Sequence, residues 1–151
     1  MKFRFFIILM ILLVFPISCK REIKPVDVDP AVDICAACKM NITKLNFASE
    51  IIMKDGRVFK FDDINCMNTY VNRNKIKRSD VKAIFVRDYE TSEWINIGKD
   101  KVYFLRSRTK RIFTPMDSGI IIFNNKDRAD SFAKENDCEY LTFDEIVRFP
   151  Q

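Results

Sequence analysis

The chain has 151 residues, 48% of them hydrophobic and 13% aromatic, with 3 glycines and 5 prolines, and this composition excludes disorder over most of its length. It contains no histidine, so the most common general base and the most common metal ligand are both absent, which argues against most hydrolytic and acid–base enzymes. The formal net charge is +5, or +3 once Lys2 and Arg4 are removed with residues 1–18. Positive and negative residues are interspersed along the chain. Because the net charge is small and the charges are mixed, we expect no nucleic-acid partner.

The N-terminal segment has the layout of a bacterial secretory signal. Two basic residues precede an uncharged run, 5–17, which is too short to span a bilayer at about 20 residues per crossing. Cys19 follows Ser18 as in a lipoprotein cleavage site, so we predict a signal peptide over 1–18 and lipidation of Cys19. The alternatives are a soluble export signal or a retained anchor, with Cys19 incidental. The prediction places the protein in the bacterial cell envelope, lipid-anchored to a membrane and facing the periplasm.

Residues 19–32 are polar, contain two prolines and show no hydrophobic periodicity. This pattern predicts a flexible tether between the membrane and the folded part of the chain.

Residues 33–97 are predicted to form a first ββαβ unit. The pair Asp55-Gly56 lies between two strand-like segments and predicts a hairpin turn, and Asp62 or Asp63 is expected to cap the following helix. The predicted elements are strands at 48–53 and 58–61, a helix to about residue 70 or 71, a strand at 81–88 and an extended segment at 94–97.

Residues 98–151 repeat this order of elements and are predicted to form a second ββαβ unit. We expect Cys138 in a turn after the helix of this unit. The predicted elements are strands at 101–107 and 119–123 with a short extended segment at 112–114, a helix at 125–136, an extended segment at 141–143 and a last helix at 143–149. The chain is therefore predicted to have an α+β fold of two small repeated units.

The most informative motif is Cys35-Ala36-Ala37-Cys38-Lys39-Met40. Two thiolates and a thioether are soft donors, and together they favour a soft ion, of which Cu(I) is the usual one. The C-x-x-C spacing also fits a thioredoxin-type redox site, part of a zinc site, or a structural disulfide. Met40 favours Cu(I), because redox and zinc motifs have no use for a thioether at that place. The candidate ligands are Cys35, Cys38 and Met40.

This motif and the sequence after it resemble those of the NosL family. Members of this family are copper-binding lipoproteins that accompany nitrous oxide reductase. The likeness extends over about residues 33–147 in the family's order. Besides the cysteine motif it includes Ala48-Ser49-Glu50-Ile51, Asp55-Gly56, Phe61-Asp62-Asp63-Ile64-Asn65-Cys66-Met67, Val86-Arg87-Asp88-Tyr89, Thr114-Pro115-Met116 and Phe143-Asp144-Glu145-Ile146.

The resemblance implies a membrane-anchored Cu(I) carrier and not an enzyme. The implied partners are a copper-receiving exported enzyme, either nitrous oxide reductase or another cuproenzyme, and its assembly proteins. The rival hypothesis from another class is a thiol–disulfide oxidoreductase that uses Cys35 and Cys38.

The resemblance also assigns ligands. The family's Cys-x-Met ligands correspond to Cys38 and Met40, and Lys39 stands between them where the family commonly has glycine. Some family members use a histidine, which this chain lacks, and Cys35 is its nearest replacement. Further candidate ligands are Met116, Cys66 and Met67.

Overall fold

The computed structural model of the chain describes residues 22–109 and 112–151. The predicted signal peptide over 1–18 and the predicted lipidation site Cys19 lie outside the described residues. Within the described part of the chain, no helix has both the length and the apolar character needed to cross a bilayer.

The first unit is a four-stranded antiparallel sheet with one helix. Its strands have the spatial order β2-β1-β3-β4. At the hairpin, Gly56 has a φ of 93°, the left-handed conformation that this turn requires. The elements are β1 (Ser49–Met53), β2 (Val58–Phe61), α1 (Ile64–Arg73), β3 (Val81–Arg87) and β4 (Trp94–Asn96), with 3-10 turns at Leu45–Phe47 and Arg78–Asp80.

The second unit is a three-stranded antiparallel sheet with the order β6-β5-β7. In both units the first strand is central, its hairpin partner lies on one side, and the strand after the helix lies on the other. The predicted α+β fold with two ββαβ units is therefore confirmed. The elements are β5 (Tyr103–Ser107), β6 (Ile120–Phe123), α2 (Lys126–Asn136), β7 (Cys138–Leu141) and α3 (Phe143–Ile146).

Some details of the second unit differ from the prediction. Cys138 begins strand β7 and is not in a turn, because Asp137 takes the left-handed conformation at the end of α2 and reverses the chain within one residue. The extended segment expected at 141–143 is the end of this strand and the start of α3. Residues 112–114 form no strand, and the last helix ends at Ile146.

The two units share one hydrophobic core. Helix α1 buries Ile64, Met67 and Val71 against the inner face of the first sheet, and Phe104 and Ile122 of the second sheet join the same cluster. The opposite face of the second sheet packs on α2 through a smaller cluster. That cluster contains Leu105, Ile121, Phe123 and Ala129.

Residues 22–27 lie on the outer face of the first sheet and Val28 is buried in the shared core, in contrast to the flexible tether expected over 19–32. Ile23 packs against Ile52, Ala83 and Phe85, which that face would otherwise expose. The backbone N–H of Val26 donates to both carboxylate oxygens of the fully buried Glu50, at 3.1 and 3.2 Å. Asp27 accepts a hydrogen bond from the Trp94 indole at 3.0 Å and pairs with Arg87. By covering the outer face, the segment leaves β1 buried on both of its faces.

Candidate metal centre

The cysteine motif forms a tight loop that is bound to the edge of the first sheet. Within the loop, the N–H of Cys35 donates to the carbonyl of Met40 at 2.8 Å, and the N–H of Lys39 donates to the carbonyl of Cys35 at 3.1 Å. The N–H of Ala36 donates to the carbonyl of Lys60 on β2 at 2.9 Å. These bonds fix the positions of the two cysteines relative to the end of β2.

A third cysteine comes to this loop from the first turn of α1. Asp62 and Asp63 follow β2 directly, and Asp63 caps the helix by accepting a hydrogen bond from the N–H of Asn65 at 2.7 Å. Cys66 is the third residue after the cap. The sulfur atoms of Cys35, Cys38 and Cys66 and one carboxylate oxygen of Asp62 all lie within 4.8 Å of one another.

The cluster is buried on one side and accessible on the other. Cys35 is 0% exposed, Cys66 3% and Asp62 3%, whereas Cys38 is half-buried. One oxygen of Asp62 accepts a hydrogen bond from the thiol of Cys38 at 3.5 Å, and its other oxygen is buried without a hydrogen-bond partner. A buried carboxylate in this state is costly unless a cation is bound near it.

Hydrogen bonds between the thiols separate their pKa values. The hydrogen bond from the Cys66 thiol lowers the pKa of Cys35 to about 6, against the opposing effect of burial. The same hydrogen bond raises the pKa of Cys66, and burial is the main cause of the raised pKa of Cys38. One sulfur of the cluster is thus prepared to be a thiolate near neutral pH, and its neighbours supply protons that a bound cation would displace.

These residues fit a thiophilic ion. Two sulfurs on opposite sides of one ion lie about 4.6 Å apart when each metal–sulfur bond is about 2.3 Å, and the 4.8 Å limit on the distances within the cluster is compatible with sulfurs that share one ion. Thiolates favour Cu(I) and zinc, whereas the carboxylate is a harder ligand. The site can therefore bind a soft cation through two or three sulfurs.

The sequence matches the NosL family over residues 25–148. The chain belongs to the NosL family. The crystal structure of the copper chaperone NosL from Shewanella denitrificans has the same fold. The two chains are 21% identical, with a TM-score of 0.66, and the match covers 83% of this chain and 96% of that one. No curated protein sequence matches this chain.

In this NosL chain, the structure brings together Cys35, Cys38 and Cys66, of which Cys66 was only a further candidate. The side chain of Met40 is 49% exposed at the rim of the loop. Met67 points into the shared core and is fully buried, and Met116 is half-buried against the same core cluster.

Sequence reasoning offered Asp62 or Asp63 as the helix cap and missed the place of Asp62 in the thiol cluster. The signal that could have identified it is the segment Phe61-Asp62-Asp63-Ile64-Asn65-Cys66. A helix that begins directly after a strand needs only one capping residue, so the first carboxylate is available for another role.

The structure also explains why glycine suits the position of Lys39 in NosL sequences. Lys39 has a φ of 66°, in the left-handed region where a side chain is disfavoured. The Lys39 ammonium donates to the carbonyl of Ala36 at 2.9 Å.

Proposed function

We propose that this NosL-family protein is a copper chaperone that binds one Cu(I) through sulfur ligands and transfers it to another protein. The observation that carries the proposal is the convergence of three thiols, from the N-terminal loop and from α1, within 4.8 Å of one another. The structural relative from Shewanella denitrificans is a copper chaperone, which supports the same function here.

We assign the ligands different roles according to their exposure. Cys35 and Cys66 are buried and hold the ion from inside the protein, while the half-buried Cys38 and the exposed Met40 face the solvent. A ligand from a recipient protein would reach the ion from that open side and replace Met40 or Cys38. Because no bond in a substrate is made or broken, the proposed function is not enzymatic.

We further propose that the recipient is an exported cuproenzyme such as nitrous oxide reductase, together with its assembly proteins. The protein would be held at a membrane of the bacterial cell envelope by acylation of Cys19 and would face the periplasm. The support for this placement is the predicted export signal over residues 1–18 and the cysteine that follows it in the sequence. An exported recipient requires a carrier on the same side of the membrane.

A thiol–disulfide oxidoreductase is less well supported by the same geometry. Such an enzyme needs an accessible cysteine with a lowered pKa as its nucleophile. Here the cysteine with the lowered pKa, Cys35, is fully buried, and the more exposed Cys38 has a raised pKa.

The copper proposal is tested by titrating the reduced full-length chain with Cu(I), anaerobically, against a chromophoric Cu(I) chelator. We expect tight one-to-one binding that is abolished in Cys35→Ala and Cys38→Ala and weakened in Met40→Leu. Cys138→Ala is the matched control, because this cysteine lies in the second unit, and it should bind as the wild type does. Failure of the reduced wild type to compete with the chelator would refute the proposal.

Anchoring is tested separately by expressing the wild type and Cys19→Ser in a bacterial host. The wild type should fractionate with membranes and carry a diacylglycerol mass at Cys19, whereas the variant should not be acylated. A wild-type chain that is released without any lipid would contradict the anchoring proposal and leave copper binding untouched.

A further inference from the structure

A loop of the second unit reaches across to the first turn of α1. This loop, residues 114–119, precedes β6. Its Ser118 hydroxyl donates to a carboxylate oxygen of Asp63 at 2.9 Å, and the Thr114 hydroxyl lies 3.0 Å from that of Ser118. The hydroxyl of Thr114 and the backbone N–H of Met116 also favour the ionised form of Asp63 and oppose the effect of burial, which raises its pKa.

Asp63 connects this loop to the proposed metal centre. Its other carboxylate oxygen accepts the N–H of Asn65 at 2.7 Å, and its carbonyl accepts the N–H of Cys66 at 3.0 Å. Asp62, the preceding residue, contributes its oxygen to the thiol cluster. The backbone that carries two members of the cluster is therefore held at Asp63.

The contacts from the loop exceed what a helix cap requires. The corresponding cap of α2, Asn125, is exposed, and its side chain accepts a local hydrogen bond from the N–H of Arg128. Asp63 is 1% exposed, so water cannot replace a lost partner. A buried carboxylate without its donors would move, and the first turn of α1 would move with it.

We infer that the 114–119 loop is a positioning element of the metal centre: through Asp63 it holds Cys66 and Asp62 in the geometry that binds Cu(I) tightly. The inference rests on the proposed function for its ligand. It gives the second unit, which contributes none of the clustered ligands, a direct role in affinity. It also makes the loop a place where a partner that displaces Ser118 from Asp63 would weaken copper binding and promote release.

The test compares the wild-type full-length chain with the double variant Thr114→Val and Ser118→Ala, which removes both hydroxyls with little change of shape. We expect the Cu(I) dissociation constant to rise about tenfold, as for loss of a hydrogen bond to a buried charged group. In the metal-free protein, alkylation of Cys66, followed by mass spectrometry, should become faster by a similar factor. The single variant Ser118→Thr, which keeps the hydroxyl, should have the Cu(I) dissociation constant and the Cys66 alkylation rate of the wild type.

Arg128→Lys is the control, because it weakens a different connection between the two units, the ion pair with Asp88, and touches no residue of α1. It should leave Cu(I) affinity and Cys66 alkylation within twofold of the wild type. The inference is overturned if the double variant, shown to be folded by its thermal transition, matches the wild type in both readouts, or if Arg128→Lys changes them equally. Absence of Cu(I) binding in the wild type would instead refute the proposed function, and the alkylation rates would still test the loop.

Discussion

The start of α1 and the start of α2 have the same local structure. They differ in the residue at the third position after the cap, which is a cysteine in α1 and an arginine in α2. In each unit a buried phenylalanine ends the strand, two Asp or Asn residues follow, and the second of these caps the helix. The third residue after the cap is Cys66 in the first unit and Arg128 in the second. The corresponding pairs are Phe61 and Phe123, Asp62 and Asn124, Asp63 and Asn125, and Cys66 and Arg128.

In the second unit the third residue after the cap is Arg128, whose guanidinium is a cation. The Arg128 guanidinium bonds to both oxygens of the fully buried Asp88 at 2.9 Å, to Glu90 at 2.9 Å and to Asn124 at 2.6 Å. In the first unit the same position carries a thiol beside two more thiols and a carboxylate. One scaffold therefore gathers acceptors at a helix start. Where an arginine is supplied the result is a structural ion pair, and where a cysteine is supplied the position joins the thiol and carboxylate cluster that we propose as the metal site.

The largest expected effect comes from removing the cysteine at this position. Cys66→Ala should weaken Cu(I) binding by roughly two to three orders of magnitude, since metal sites with 10–16 kcal/mol over four ligands give about 2.5–4 kcal/mol per ligand. Competition with a Cu(I) chelator measures this loss, and Cys138→Ala provides the comparison in the second unit. Equal affinities of the two variants would show that Cys66 is only a core residue.

Breaking the ion pair between Arg128 of the second unit and Asp88 of the first should lower stability and leave copper binding unchanged. Arg128→Met leaves Asp88 buried without its charge partner, and we expect the free energy of unfolding to fall by about 3 kcal/mol at pH 7. Burial alone would raise the pKa of Asp88, but hydrogen bonds from Arg128 and from backbone N–H groups outweigh it, so that its pKa is lowered.

That lowered pKa sets the pH dependence of the same variant. The stability from the pair is complete above the ordinary aspartate pKa of 3.8 and is lost as the pH falls through the lowered value. The difference in urea denaturation between wild type and Arg128→Met should therefore shrink in acid. A difference that stays constant down to pH 2 would argue against the pair as its source.

Glu50 provides the opposite case, a carboxylate buried in the first unit under residues 22–27. Burial raises its pKa to about 7 from the ordinary value of 4.5, and the N–H of Val26 and the charges of Lys60 and Arg87 oppose this only in part. The folded protein therefore binds more protons than the unfolded chain between these values, and its stability falls as the pH rises through that window.

Glu50→Gln should remove this slope. Relative to the variant, the wild type should lose about 2 kcal/mol of stability between pH 5 and pH 8. Taking the difference between two otherwise identical chains cancels the titration of Cys35. Parallel stability curves for the two proteins would mean that Glu50 is ionised throughout.

The smallest expected effect concerns the loop that carries Cys35 and Cys38. Lys39→Gly should be more stable than Lys39→Ala by about 1 kcal/mol, because the left-handed φ of 66° disfavours any side chain. Both variants lose the bond from the ammonium to Ala36, so the comparison isolates the backbone. Thermal unfolding measures the difference, and a more stable alanine variant would contradict the strain.

Local patterns in the sequence were sufficient for most of the fold. Strand-like segments at 48–53 and 58–61 located β1 and β2, Asp55-Gly56 located their turn, and Asp63 was one of two expected caps. These features depend on residues close in the chain. The failures have nonlocal causes: β7 begins at Cys138 because this residue pairs with Ser107 of β5, and residues 22–27 lie against the first sheet because Ile23, Val26 and Asp27 contact residues far away in the chain.

The candidate site divides in the same way. By itself, the sequence determined the soft-donor loop of Cys35, Cys38 and Met40 and the family likeness that goes with it, because ligand type and close spacing are local properties. Only the tertiary structure decided that Cys66 and Asp62 join the loop and that Met67 does not, since neighbouring residues on a helix point about 100° apart. It also decided that Ser118, 55 residues after Asp63, is bonded to the start of that helix, because packing of the two units on one core brings these segments together.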